Sequence, residues 1–331
     1  MKTGAKRIKL YLIAILCTLL WGSAIPTIKL GYSVFGISSS GIADKLLFAG
    51  VRFFGAGLII LIPYFIFSRN IKIDRTLAKN SVTLGIVQTA GQYFFMYIGL
   101  TYTTGVNASV FNALGTLLYI VFAFIIFRDE RLSKAKIIGC IIGFSGILFN
   151  SLATQQMGLL SFKGDGFIII ANVCVAAGFL YSKHSVKSSD PFILTGMQMG
   201  IGGAILLILG IALGGRLYTV TPAGICLLLY LMTVSSVAFS LWTLLLKNYP
   251  SALVGMFNFL TPVFGTIFSF ILSKLGFLDE ASAFTVYTVL AIVCSAIGIF
   301  LSSIQKKSTK TNGKSENNAS HNSELADKNT P

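Results

Sequence analysis

Ten stretches of about 20 predominantly apolar residues, parted by short polar turns, decide what this chain can become. A run of that length crosses the hydrocarbon of a bilayer as a helix, because only a helix satisfies its own backbone polar groups there. The spans are predicted at about residues 8–30, 45–67, 80–100, 105–127, 136–153, 165–182, 191–213, 222–246, 251–273 and 283–304. The composition agrees: 54% of residues are hydrophobic, 11% are charged and the mean hydropathy is +0.80. Soluble domains carry about 25% charged residues. The expected fold class is therefore an all-α polytopic membrane protein with ten transmembrane helices. The first run contains Trp21 and Lys29 and has no small-residue cleavage site behind a short apolar region, so it is read as a retained helix.

A net charge of +15 invites a nucleic-acid reading, but the basic residues sit in short loops without interleaved aromatics. They act as topological determinants. Counting the loops with an inside N-terminus puts twenty Lys and Arg on one side and five on the other, with Arg52 inside a span. Both termini are thus expected in the cytoplasm, in the plasma membrane of a bacterial cell. The five cysteines fall inside spans without metal-ligand spacing, so they read as small core residues. Residues 305–331 are almost free of apolar side chains and are predicted to form a disordered cytoplasmic tail. There the sequon at Asn318 has no access to glycosylation.

Residues 105–146 hold an apolar span, a charged turn and the start of the next span, and a second version begins at Ser251. Phe257-Asn258-Phe259-Leu260 repeats Phe111-Asn112-Ala113-Leu114 at an offset of 146 residues. The same offset places Gly50 on Gly196 and Gly57 on Gly203, and brings the third span onto the eighth without a gap. Five spans per unit is an odd number, so the second unit must enter the membrane upside down. Two inverted five-helix repeats, over 8–155 and 160–304, are expected between residues 1–7 and the tail. Inverted repeats are an architecture of secondary transporters that hold substrate near the midplane.

Leu20-Trp21-Gly22-Ser23, Val51-Arg52-Phe53, Gly99-Leu100-Thr101-Tyr102-Thr103 and Asp129-Glu130-Arg131-Leu132-Ser133 followed by Gly139 occur in that order. With this order and spacing the chain resembles the EamA branch of the drug/metabolite transporter superfamily over residues 8–304. The resemblance implies a ten-helix carrier of small organic solutes, working by alternating access, with a cavity lined mainly by helices 1, 3, 4, 6, 8 and 9. Pro262 matches a family proline in the ninth helix, whereas the first half has Thr116 at the equivalent place.

No Asp or Glu lies deep in a span, which disfavours a pump for lipophilic cations. Arg52 is the ionisable exception, and such charges cost at least about 2.5 kcal/mol in a bilayer. Substrate contact stays open for it, but it is assigned a structural or gating role, since it lies near enough to a helix end to snorkel or pair. Gln88 and Gln92, one turn apart near mid-membrane, can orient a neutral or zwitterionic solute or bond to neighbouring helices. Asn112, Gly115, Thr116 and Tyr119 share a helical face, as do Asn258, Thr261, Pro262 and Gly265. Trp21 and Trp242 are deep enough to be aromatic walls, and Asn172 should face inward. The expected substrate-binding set is Trp21, Gln88, Gln92, Asn112, Tyr119, Asn172, Trp242 and Asn258. Arg52, Glu130 and Pro262 form the structural or gating set: Glu130 in a turn that ties helix ends, Pro262 where the helix weakens for gating.

No Ser-His-Asp set, phosphate-cradling loop or metal cluster is present in the sequence, so neither an enzyme nor a cofactor is expected. The function predicted is a secondary transporter, exporter or exchanger, of a small organic metabolite such as an amino acid. Its partners are that solute and the lipid bilayer, without nucleic acid; the residues leave the oligomeric state open, a monomer included. The competing reading is a non-transporting membrane sensor or assembly protein whose polar residues only pack helices.

Overall fold

The computed structural model describes residues 2–39, 41–67, 73–103, 105–127, 134–154, 159–277 and 285–303. Helices α1 (Lys2–Val34), α2 (Ile42–Phe67) and α3 (Arg75–Leu84) come first. A π-helical segment (Gly85–Gly91) carries α3 without a break into α4 (Gln92–Tyr102). Then follow α5 (Gly105–Ile126), α6 (Lys134–Thr154), α7 (Phe162–Ser185), α8 (Pro191–Ala212) and α9 (Pro222–Asn248). The last stretch is α10 (Ser251–Met256), a 3₁₀ turn (Phe257–Phe259), α11 (Leu260–Lys274) and α12 (Val286–Ser303). Among the described residues there is no strand. Glu130, Asp279-Glu280 and residues 305–331 lie outside the described residues.

Local chemistry sets several helix starts. Asp74, Ser161, Asp190 and Thr221 each stand before a helix, and their side-chain oxygens accept first-turn N–H groups of Leu77, Gly164, Phe192 and Gly224. Pro191 and Pro222 follow two of these caps, at a position where the missing donor costs nothing. At the other end, Gly36, Gly214 and Gly276 take positive φ just beyond α1, α8 and α11, a left-handed stop that suits glycine.

Among the described residues, six helical stretches are long and apolar enough to cross a membrane: Arg7–Val34, Ile42–Phe67, Phe162–Ser185, Pro191–Ala212, Pro222–Asn248 and Ser251–Lys274. Their outward faces carry exposed Ile, Leu and Phe, such as Leu12, Phe67, Ile170, Ile208 and Ile271. So much exposed apolar surface suits lipid, not water. Lipid offers no hydrophobic drive for helix association, so the interior is held by close packing and interhelical hydrogen bonds.

That packing is tightest where α2 meets α8 and where α6 meets α12. A Cβ on Gly50 would collide with the backbone of Leu207, and one on Gly203 with the backbone of Phe54. At the second interface Gly139 and Gly298 each leave room for the other's carbonyl oxygen. Small residues of this kind let two helix backbones approach closely enough for extended van der Waals contact.

Candidate aromatic and amide site

Four helices, α1, α5, α7 and α9, bring their large aromatic side chains to one place. The rings of Trp21 and Trp242 lie 4.9 Å apart, Trp21 meets Phe239 edge-on at 5.2 Å, and Phe179 contacts Trp242 at 5.7 Å. Tyr119 closes the group against Phe179 at 5.5 Å. These tilted and edge-on arrangements are the ones that ring quadrupoles favour. Trp242 and Tyr119 are both 1% exposed, whereas Trp21 is only partly buried.

The polar handles of this cluster are unequally used. The Tyr119 hydroxyl donates to the Ser251 carbonyl at 3.1 Å, tying α5 to the start of α10. Among the described residues, neither the Trp21 nor the Trp242 indole N–H has a hydrogen-bond partner. Ser240 Oγ of α9 and Gln88 Oε1 are likewise buried without one. Buried polar groups are normally satisfied, so the two indole donors within the aromatic cluster call for an explanation.

Gln88 reaches this region through the π segment, whose wider turn moves side chains off the α-helical register. Its side chain lies directly on Gly178, where any Cβ would strike it, one residue from Phe179. Gln92 opens α4 and is partly exposed. The π turn intervenes between the two amides, so they do not stand in the simple one-turn relation that α-helical spacing predicts. Further along α4, Phe95 stacks on Phe167 at 5.8 Å and Gly99 packs against Ile168, so this face serves the contact with α7.

Asn172 of α7 donates to Asn112 Oδ1 at 3.0 Å, to the Ile168 carbonyl at 2.9 Å and to the Phe111 carbonyl at 3.3 Å. Gly115 makes room for it. The Asn112 face of α5 therefore packs on α7, with Tyr119 two turns below. Asn258 sits in the 3₁₀ turn between buried Phe257 and Phe259 and is itself partly exposed. Pro262 follows in α11 and has no N–H for the Asn258 carbonyl, which explains why the irregular turn lies one turn before the proline.

Arg52 of α2 lies outside the aromatic cluster. Its side chain does not snorkel: it is 2% exposed, Nε donates to Ser235 Oγ at 3.0 Å, and the guanidinium lies 4.8 Å from the Phe53 ring centroid. Glu130 lies outside the described residues, so its turn has no structural counterpart to report.

Sequence reasoning singled out Trp21, Trp242 and Tyr119 but missed Phe179 and Phe239. A phenylalanine in an apolar span carries no signal of its own. Nor did it find the π segment, although the flanking Gly85 and Gly91 are a possible sign, since Gly85 packs against the α8 backbone.

The EamA-like transporter family matches residues 8–152 and again 162–304. The "uncharacterized transporter YyaM" of Bacillus subtilis is 26% identical over 274 residues, covering 80% of this chain and 86% of that protein. An "uncharacterized transporter" of Archaeoglobus fulgidus is 25% identical over 313 residues, covering 90% and 98%. One solved crystal structure superposes with a TM-score of 0.71 at 18% identity, covering 89% of this chain and 96% of that one, which is a likeness of fold alone.

Proposed function

Since the chain belongs to the EamA-like transporter family, we propose that it is a secondary transporter, an exporter or exchanger, of a small organic metabolite such as an amino acid. It carries that solute by alternating access. The ten apolar spans form two five-helix units of opposite orientation, with both termini on the cytoplasmic face of a bacterial plasma membrane. Three observations support this architecture: the offset of 146 residues, the two successive family matches, and the glycine-mediated pairing of α2 with α8 and α6 with α12. Each of these pairs unites helices that occupy equivalent places in the two units, as a pseudo-twofold relation requires.

The observation that carries the substrate reading is the set of unpartnered polar atoms around the Trp21–Trp242 cluster. Two indole donors held among aromatic rings, with the Gln88 side chain on Gly178 beside Phe179, suit a solute with an apolar body and a few polar groups. Trp21, Trp242, Tyr119 and Gln88 contact it. Asn112 and Asn172 hold α5 against α7 beside it, and Gln92 and Asn258 edge its path. Pro262 and the 3₁₀ turn give the second half a joint at which gating can occur.

Proteoliposomes loaded with an unlabelled solute and tested for uptake of the labelled one, across amino acids, nucleosides and sugars, check this reading. Saturable exchange of at least one class is expected, and no flux across the panel overturns it. Interhelical bonds such as Asn112–Asn172 and Arg52–Ser235 favour a purely packing role for polar residues. Gln92→Ala or Asn258→Ala separates the readings. Loss of solute-induced thermal stabilisation in a folded variant supports transport, whereas loss of folding alone supports packing.

A further inference from the structure

Two cations are buried among the described residues, and they are treated differently. Lys183 donates its ammonium to the Tyr249 carbonyl at 2.7 Å. Arg52 uses only one edge of its fork: Nε reaches Ser235, while Nη1 is buried with no partner. No carboxylate among the described residues pairs with it. Asp44, two turns earlier on α2, accepts instead from the Arg216 backbone N–H.

Tyrosines of α1 and α4 pack beside Arg52. Phe53, next to the guanidinium, meets the Tyr93 ring at 4.2 Å, and Tyr93 lies 6.2 Å from Tyr97. Tyr32 meets Phe48, one turn before Arg52 on α2, at 5.5 Å. The Tyr97 hydroxyl has no well-formed hydrogen bond, although it faces Tyr32. The Ser235 hydroxyl donates its proton to Leu231, so it can only accept from Arg52. Lys45 lies seven residues from Arg52 on the same face of α2, with its ammonium 5.8 Å from the Tyr32 ring centroid. Tyr32 and Tyr93 are partly buried.

A structural anchor between α2 and α9 needs only Nε, Ser235 and the Phe53 ring. It leaves the Nη1 donor and the Tyr97 hydroxyl unexplained, at a place where an unpaired charge is costly. Donors without acceptors, around a planar guanidinium with an open edge, are complementary to a carboxylate. Resting on the transporter reading above, we infer that Arg52 Nη1 and the Tyr97 hydroxyl hold the carboxylate of the transported solute, with Lys45 drawing it towards Tyr32.

The test uses the purified full-length protein in lipid nanodiscs and follows thermal unfolding. The probes are acetate, lactate, L-alanine and benzoate, their four uncharged-carboxyl counterparts (acetamide, lactamide, L-alaninamide and benzamide), and sodium chloride alone. At least one carboxylate is expected to raise the melting temperature saturably while its amide does not. Tyr97→Phe should weaken the apparent affinity about tenfold, the loss of one hydrogen bond to a charged group. Arg52→Gln should abolish the response, and if that variant does not fold, Tyr97→Phe decides alone. Four results each overturn the site: no response to any carboxylate, an equal response to the amide, an equal response to sodium chloride alone, or an unchanged response in Tyr97→Phe. The two readings fail separately. A Tyr97-dependent carboxylate response in a protein that exchanges no solute sustains the site and removes the transport reading. Exchange by Arg52→Gln and Tyr97→Phe at wild-type half-saturation does the opposite.

Discussion

Helix α5 and the α10–α11 stretch carry the same Phe-Asn-x-Leu pattern, yet the two asparagines are used differently. In α5 the helix runs unbroken, and Asn112 accepts a bond from Asn172 that fixes it to α7. In the second stretch the helix tightens to a 3₁₀ turn at Phe257–Phe259, and Asn258 lies in that turn. The cause is a single difference downstream, Thr116 against Pro262. Threonine keeps the backbone donor, and proline removes it and leaves the carbonyl one turn back without its helical partner. The repeated pattern forms an unbroken helix in one place and a helix interrupted by a 3₁₀ turn in the other, and the account places motion in the second.

Four substitutions sharpen or break that contrast. Gly255→Val should have the largest effect, because a side chain there runs into the Tyr119 ring and wedges α10 away from α5. A loss of about 2 kcal/mol is expected in reversible unfolding from detergent micelles. Unchanged stability would mean that the two stretches do not depend on each other. Asn172→Ala removes the donor that fixes Asn112 and should cost about 1 kcal/mol in the same assay. If Asn258→Ala costs as much, the two asparagines are not used differently after all. Tyr119→Phe deletes the bond to the Ser251 carbonyl, and a loss of about 0.6 kcal/mol is expected. Pro262→Ala should move stability least, upward by a few tenths of a kcal/mol as the helical bond is restored. Exchange in proteoliposomes should nonetheless slow severalfold, and faster exchange would place the joint elsewhere.

Much of this was legible in the residues. The lengths of the apolar runs announced membrane helices, and the two deep tryptophans meet ring to ring while Asn172 bonds to the neighbouring α5. What stayed hidden depends on contacts between distant segments. Arg52 read as a candidate for snorkelling because its depth was counted along its own helix. Its hydrogen-bond partner Ser235 comes from α9, and tyrosines of α1 and α4 pack against Phe48 and Phe53 on either side of it. The pairing of Gln88 and Gln92 assumed α-helical spacing, and the π turn changed their relation. Pro262 announced a weak place, but the irregularity falls a turn earlier, because a proline acts on the carbonyl four residues before it.

The chain contains two tryptophans, Trp21 and Trp242, and both stand in the proposed site with ring centroids 4.9 Å apart. All intrinsic tryptophan emission therefore originates there. The direct measurement is a fluorescence titration of the reconstituted protein with a solute that it exchanges, set beside the concentration dependence of that exchange. The account predicts a saturable change in emission with the same half-saturation as exchange, reduced in Trp242→Phe. Saturable exchange with unchanged emission would contradict it and move the solute away from the aromatic cluster.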